Sequence, residues 1–265
     1  MKLSISNIAW SKEYDEEIYK FLQNNKFDGI EIAPTRIFES NPYENLKEAK
    51  NFQQYLKDKY SLEISSMQSI WFGKTENIFN SDEERIELIN YTKKAIEFAN
   101  VIKCKNLVFG CPKNRNISNE NLENKYVAID FFRTLGNYAM QNNTIVAIEP
   151  NPNIYGTNFI NYTKEAFDFV REVNNPGIKV NIDLGTIINN NEDISIIENN
   201  IDLINHIHIS EPYLEKIQER NIHKELCELL NKSEYNKYVS IEMKNLNDLE
   251  GIKATMLYVN EIFRE

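Results

Sequence analysis

The chain predicts an α/β fold, a single (β/α)8 TIM barrel occupying residues 1–265. Three observations carry this expectation. Short apolar runs alternate with stretches of helical spacing, the grammar of βα units and a parallel sheet. Four of the runs end on a ligand-type residue: Ile145-Val146-Ala147-Ile148 on Glu149, Val180-Asn181-Ile182 on Asp183, His206-Ile207 on His208 and Val239-Ser240-Ile241 on Glu242. Those ends are 34, 25 and 34 residues apart, close to the roughly 31 residues per unit of a barrel that shares about 250 among eight.

Eight strands are expected: Leu3 to Ile8, Gly29 to Ala33, Leu62 to Met67, Asn106 to Phe109, Thr144 to Ile148, Ile178 to Ile182, Ile204 to Ile209 and Tyr238 to Met243. Between them, Ile18, Phe21 and Leu22, and later Ile86, Ile89, Ala95, Ile96 and Phe98, mark apolar helix faces backed by Lys, Glu and Asp. Ser81 to Glu84 has the form of a capping box, and Thr163 reads as a cap with Glu165 in the first turn. No Gly/Ser-rich linker, low-complexity tract or composition shift divides the chain.

Composition narrows the function classes. With 42% hydrophobic and 26% charged residues the chain can bury a large core. A formal net charge of -10 and the lack of a basic stripe argue against a nucleic-acid partner. Cys104, Cys111 and Cys227 are odd in number and unclustered, which fits a reducing compartment. The sequence opens directly on strand-like Lys2-Leu3-Ser4-Ile5-Ser6, and no apolar run reaches membrane-spanning length. A cytoplasmic location with no membrane partner is therefore expected, and a homo-oligomer is left open.

In a parallel barrel the loops after the strands carry the chemistry. Glu149, Asp183, His208 and Glu242 would meet at that rim, and three carboxylates with one imidazole suit a divalent cation. Mn2+ or Mg2+ fits so oxygen-rich a set best, with Co2+ and Zn2+ as further options. His206 and His208 share one face of their strand by its period of two. His208 lies nearer the rim and is taken as the ligand, with His206 one layer deeper, packed or supporting. Other strand ends offer Trp10, Glu31 and Gln68, grouped with His206 as candidate substrate-binding residues. Trp10, Trp71 and Phe72 would form an apolar wall for a substrate or close the barrel top as core. Lys113 and Arg115, two cations just past the fourth strand of an acidic chain, are candidates for holding a substrate phosphate or carboxylate. His223, among Leu226, Leu229 and Leu230, is read as structural.

Taken in order, Ser6-Asn7-Ile8-Ala9-Trp10, Asp28-Gly29-Ile30-Glu31-Ile32, Glu149-Pro150-Asn151-Pro152, Asp183-Leu184-Gly185-Thr186, His206-Ile207-His208 and Ile241-Glu242 resemble the sugar phosphate isomerase/epimerase family with its xylose isomerase-like barrel. The resemblance implies that Glu149, Asp183, His208 and Glu242 are the metal ligands, with Glu149 and Glu242 doubling as acid/base groups. Thr186 stands where the ketose 3-epimerase branch commonly has a His, and no Arg lies near Leu214, so substrate specificity is not carried over. The implied activity is a divalent-metal-dependent sugar isomerase or epimerase, moving a proton beside a carbonyl through an enediolate. An inosose-type dehydratase is the first alternative. A non-catalytic sugar-binding barrel and an endonuclease-like hydrolase follow, the last disfavoured because a multi-zinc site needs many His and the chain has 3.

Overall fold

In the computed structural model, which describes residues 1–118 and 123–264, β1 (Lys2–Ser6), β2 (Gly29–Ile32), β3 (Glu63–Met67), β4 (Leu107–Phe109), β5 (Val146–Ile148), β6 (Ile178–Asp183), β7 (Ile204–Ile209) and β8 (Tyr238–Ile241) are hydrogen-bonded in chain order into a closed barrel. All eight pairs are parallel, and β8 returns to β1 with Leu3 opposite Val239 and Ile5 opposite Ile241. Around the barrel run α1 (Asp15–Asn24), the short α2 (Pro34–Ile37), α3 (Leu46–Tyr60), α4 (Asp82–Val101), α5 (Glu123–Gln141), α6 (Thr163–Val173), α7 (Leu184–Asn190), α8 (Asn221–Lys232) and α9 (Leu249–Arg264).

The strands are buried on both faces, as a helix-covered parallel sheet must be. Leu3, Ile5, Ile30, Ile32, Ile207, Val239 and Ile241 are fully buried in the apolar core. The residues that alternate with them are polar: Ser4, Ser6, Glu31, Asn181, His206, His208 and Ser240 are also buried. Several of these meet across the barrel, as when Glu31 of β2 reaches His208 of β7. The barrel interior is thus a polar column inside an apolar sleeve, and the buried hydroxyls of Ser4 and Ser240 in it have no hydrogen-bond partner among the described residues. Two register shifts, at Ile30/Glu31 and Val180/Asn181, fall on residues of that column. Bulges of this kind re-aim side chains. At Gly29, a Cβ would lie 2.6 Å from the Glu63 carbonyl oxygen, so only glycine lets β2 approach β3 there.

Strand β1 is shorter than its apolar pattern predicts. Asn7 begins a 3-10 turn instead, and its Oδ1 accepts the Ala33 N–H at 2.9 Å, tying the first strand end to the second. Strand β6 runs one residue further, to Asp183. The Ser81 cap is present, its hydroxyl accepting the Glu84 N–H at 3.3 Å. Thr163 is not a cap: it is the first helical residue of α6, and the Glu165 carboxylate instead accepts the N–H groups of Asn161 and Tyr162 at 2.7 and 3.2 Å. Among the described residues no helix is long and apolar enough to cross a membrane.

Candidate metal centre at the barrel mouth

Glu149 and Glu242 each follow the last residue of their strand, Asp183 closes β6, and His208 lies near the end of β7. Parallel strands in register carry all four to the same rim, where one ligand atom from each lies within 4.8 Å of the others. His208 Nδ1 is 2.9 Å from Glu149 Oε1 and 3.1 Å from Glu242 Oε2. Asp183 is also the N-cap of α7, its Oδ2 accepting the Thr186 N–H at 2.8 Å, with the Thr186 hydroxyl at 2.7 Å. The Ser210 hydroxyl donates to its other oxygen.

The electrostatics of this cluster are unbalanced. Glu149, Asp183 and Glu242 are 8, 6 and 7% exposed, and among the described residues no Lys or Arg donates to any of their carboxylate oxygens. Burial, then the charge of Glu149, raises the pKa of Asp183. Burial also raises that of Glu242, against the pull of His208. For His208 burial disfavours the proton, yet Glu242, Glu31 and Glu149 together lift its pKa well above the usual imidazole range. A divalent cation would relieve this crowding of acids. The donor set fits one: octahedral ligands about 2.1 Å from an ion lie roughly 3 to 4 Å from one another, the scale found here.

A second layer lies beneath. Glu31, fully buried, has Oε2 2.9 Å from His208 Nε2 and 3.3 Å from His206 Nε2. The two imidazoles hold its carboxyl below the usual range although burial works against this. Engaging Nε2 leaves Nδ1 as the His208 nitrogen that faces the mouth, the carboxylate–histidine arrangement that orients metal-binding imidazoles. Glu31 and His206 therefore sit on the Nε2 side of His208, and neither lines the mouth cavity. Burial lowers the pKa of His206, favouring its neutral form.

The other expected residues separate. Gln68 lines the mouth, its Nε2 donating to Ser6 Oγ at 3.0 Å. Trp10 is core, 2% exposed, its indole donating to Asp15 at 2.8 Å under the Arg36 guanidinium. Trp71 is buried against Phe109, and Phe72 is 70% exposed. Arg115 does not present its charge to the mouth: it is 0% exposed, and Nη2 donates to the Glu149 carbonyl and to Asn151 Oδ1. Burial pushes its pKa down to about 10, which leaves it charged at neutral pH. Lys113 is exposed and is not part of the mouth wall. Sequence reasoning missed Asn181, which donates to Glu149 Oε1 at 2.8 Å, and Asn151, which donates to Oε2 at 3.1 Å. Both were visible as polar residues two positions from a ligand, on the same side of an extended chain.

The mouth is a cavity of about 200 Å³ whose walls include Gln68, Gly110, Tyr155 and Leu214 beside the acidic ligands. A cavity of about 420 Å³ opens at the opposite end, where the strands begin, among Lys2, Glu63, Lys105 and Lys237. It lacks the carboxylate cluster, and in such barrels the chemistry sits at the other face.

Similar folds occur in proteins of known structure. A 3-keto-D-glucoside 4-epimerase from E. coli is 19% identical with a TM-score of 0.80, the match covering 98% of this chain and 99% of that one. D-psicose 3-epimerase from Clostridium cellulolyticum is 15% identical with a TM-score of 0.77 and 99% of both chains covered. A probable 3-DHS dehydratase from Bacillus anthracis is 19% identical with a TM-score of 0.71 and 98% of both chains covered. At such identities the likeness concerns the fold alone. No curated protein matches the sequence. The model of the xylose isomerase-like TIM barrel matches residues 19–262, and the chain belongs to that family.

Proposed function

We propose that the protein is a divalent-metal-dependent sugar isomerase or epimerase, with Glu149, Asp183, His208 and Glu242 as the ligands and Mn2+ or Mg2+ as the preferred ion. The observation that carries this reading is the convergence of four ligand atoms within 4.8 Å at the C-terminal mouth, with three carboxylates to which no Lys or Arg donates among the described residues. The bound ion supplies a Lewis acid for the carbonyl and hydroxyl oxygens of a sugar. Glu149 and Glu242 come from strands three apart around the barrel. They take a proton from one face of the carbon beside the carbonyl and return one at the other, exchanging roles with the direction of reaction. Gln68 lines the cavity as a hydrogen-bonding group for hydroxyls.

The mouth favours an uncharged sugar. Its described wall contains no Lys or Arg, and Arg115 is sealed behind the Glu149 main chain. A substrate phosphate would meet three carboxylates without a cation of the protein to receive it. E. coli 3-keto-D-glucoside 4-epimerase and the D-psicose 3-epimerase lend support as epimerases on the same barrel.

The test is solvent exchange. Protein stripped of metal and reloaded with Mn2+ is incubated in heavy water with a panel of ketoses and keto-glycosides, and deuterium at the carbon beside the carbonyl is read by NMR. Incorporation that requires the metal is expected, and the product identifies epimerisation, isomerisation or loss of water. Absence of exchange from every sugar, with the metal bound, would defeat the proposal.

A further inference from the structure

Arg115 is the largest fully buried side chain of the described residues, and its use of donors is unusual. Nη2 serves two acceptors, the Glu149 carbonyl at 2.8 Å and Asn151 Oδ1 at 2.7 Å, while Nε and Nη1 have no partner. A guanidinium removed from water is strongly unfavourable unless its contacts matter, and both contacts here fall on the segment that carries Glu149. The consequence for Asn151 is geometric. With Oδ1 facing Arg115, its Nδ2 must face the opposite way, where it donates to Glu149 Oε2 at 3.1 Å. Asn181 Nδ2 holds the other carboxylate oxygen at 2.8 Å. The remaining side is kept clear by Gly110, where a Cβ would lie 2.7 Å from Glu149 Oε2. A direct Arg–carboxylate fork would set a full positive charge against Glu149 and weaken it as a metal ligand and as a base. Routing the cation through a neutral amide orients the carboxylate without pairing its charge.

We propose that Arg115 is a positioning residue: acting through Asn151, it holds Glu149 in the rotamer that serves the cation and the substrate proton. The inference rests on the metal-dependent reading of Glu149 given above.

The variants Arg115→Met, Asn151→Leu and their combination are compared with the parent. Mn2+ affinity is measured by calorimetry without sugar, kcat and KM by exchange in heavy water, and folding by the thermal midpoint. Asn151→Leu keeps the side chain neutral and similar in size but removes both the acceptor for Arg115 and the donor facing Glu149. Mn2+ affinity and kcat should each fall about tenfold or more in both single variants, the range of groups that orient metal ligands, with KM changed by less than about threefold. The double variant should be no worse than the more damaging single one, because both break one chain of contacts. A folded Arg115→Met protein with Mn2+ affinity and kcat within about twofold of the parent would overturn the inference, as would losses that multiply in the double variant. Should Arg115→Met fail to fold, Asn151→Leu decides alone: unchanged Mn2+ affinity overturns the proposal. Because Mn2+ is titrated without sugar, weakened binding supports positioning even where no sugar is turned over by the parent, an outcome that defeats only the epimerase reading. A parent protein that bound no divalent ion would overturn both.

Discussion

Glu31→Gln isolates the charge beneath His208 while preserving shape. Glu31 Oε2 is 2.9 Å from His208 Nε2, and adding the width of the imidazole and a bond of about 2.1 Å places a cation on Nδ1 roughly 7 Å away. A single negative charge and a divalent ion at that distance attract by about 5 kcal/mol at an effective dielectric near 20. That is a ceiling, since His206 Nε2 lies 3.3 Å from the same oxygen and shares its charge. The new amide can still accept the His208 Nε2–H with its oxygen, so ring orientation survives and only the field weakens. The expected loss is therefore about 10- to 100-fold in metal affinity, or roughly 1.4 to 2.8 kcal/mol. Calorimetric titration of metal-free protein with Mn2+, alongside circular dichroism to confirm folding, gives the ratio directly. Affinity within about twofold of the parent would refute the reasoning, because it would mean that the Glu31 charge is not felt at His208 Nδ1.

The remaining predictions use other parts of the molecule. Glu149→Gln and Glu242→Gln should each lower metal-saturated exchange by about 10² to 10⁴, the usual contribution of a positioned acid or base, while Asp183→Asn should chiefly weaken Mn2+ binding; near-normal exchange in both Gln variants would remove them from proton transfer. Lys113→Ala should change KM by less than about twofold for neutral sugars and their phosphates alike, since Lys113 is exposed and off the mouth wall; a rise confined to phosphates would restore an anion-binding role. His223 is fully buried with its Nδ1 2.9 Å from the Tyr258 hydroxyl, and burial lowers its pKa from 6.5 to about 4. The native state thus refuses a proton that the unfolded chain accepts, so this contribution is complete above pH 6.5 and falls as pH drops towards 4, by up to about 3 kcal/mol. Urea unfolding at neutral and acidic pH should show that slope in the parent and its loss in His223→Gln.

The barrel and its rim were readable because they rest on short-range rules. Apolar runs at a regular spacing specify strands, and the residue ending each run is delivered to one rim by parallel pairing. The inward column was harder. Glu31 appears in the sequence as an acid within a strand, and nothing local reveals that its partner His208 is 177 positions away. Closure of the barrel, rather than any motif, brings them together. Arg115 was misread for a related reason: a cation in a polar loop looks solvent-facing, and only the tight turn at Pro112–Arg115 directs it beneath Glu149. Trp10 likewise sits at a strand end but turns into the core to meet Asp15.

The order of the ligands along the chain constrains how the protein is made. Glu149 follows β5, Asp183 ends β6 and His208 is on β7, but Glu242 follows β8, the strand that seals against β1. A ribosome-bound chain therefore holds an incomplete set until β8 has been synthesised, the earlier strands first. Sealing the barrel and assembling the ion cradle are one event, and that event forces like charges together. A divalent ion bound there, as proposed, would act as a clasp on the finished ring: it would favour the sealed form by mass action and have no equal site on the open sheet.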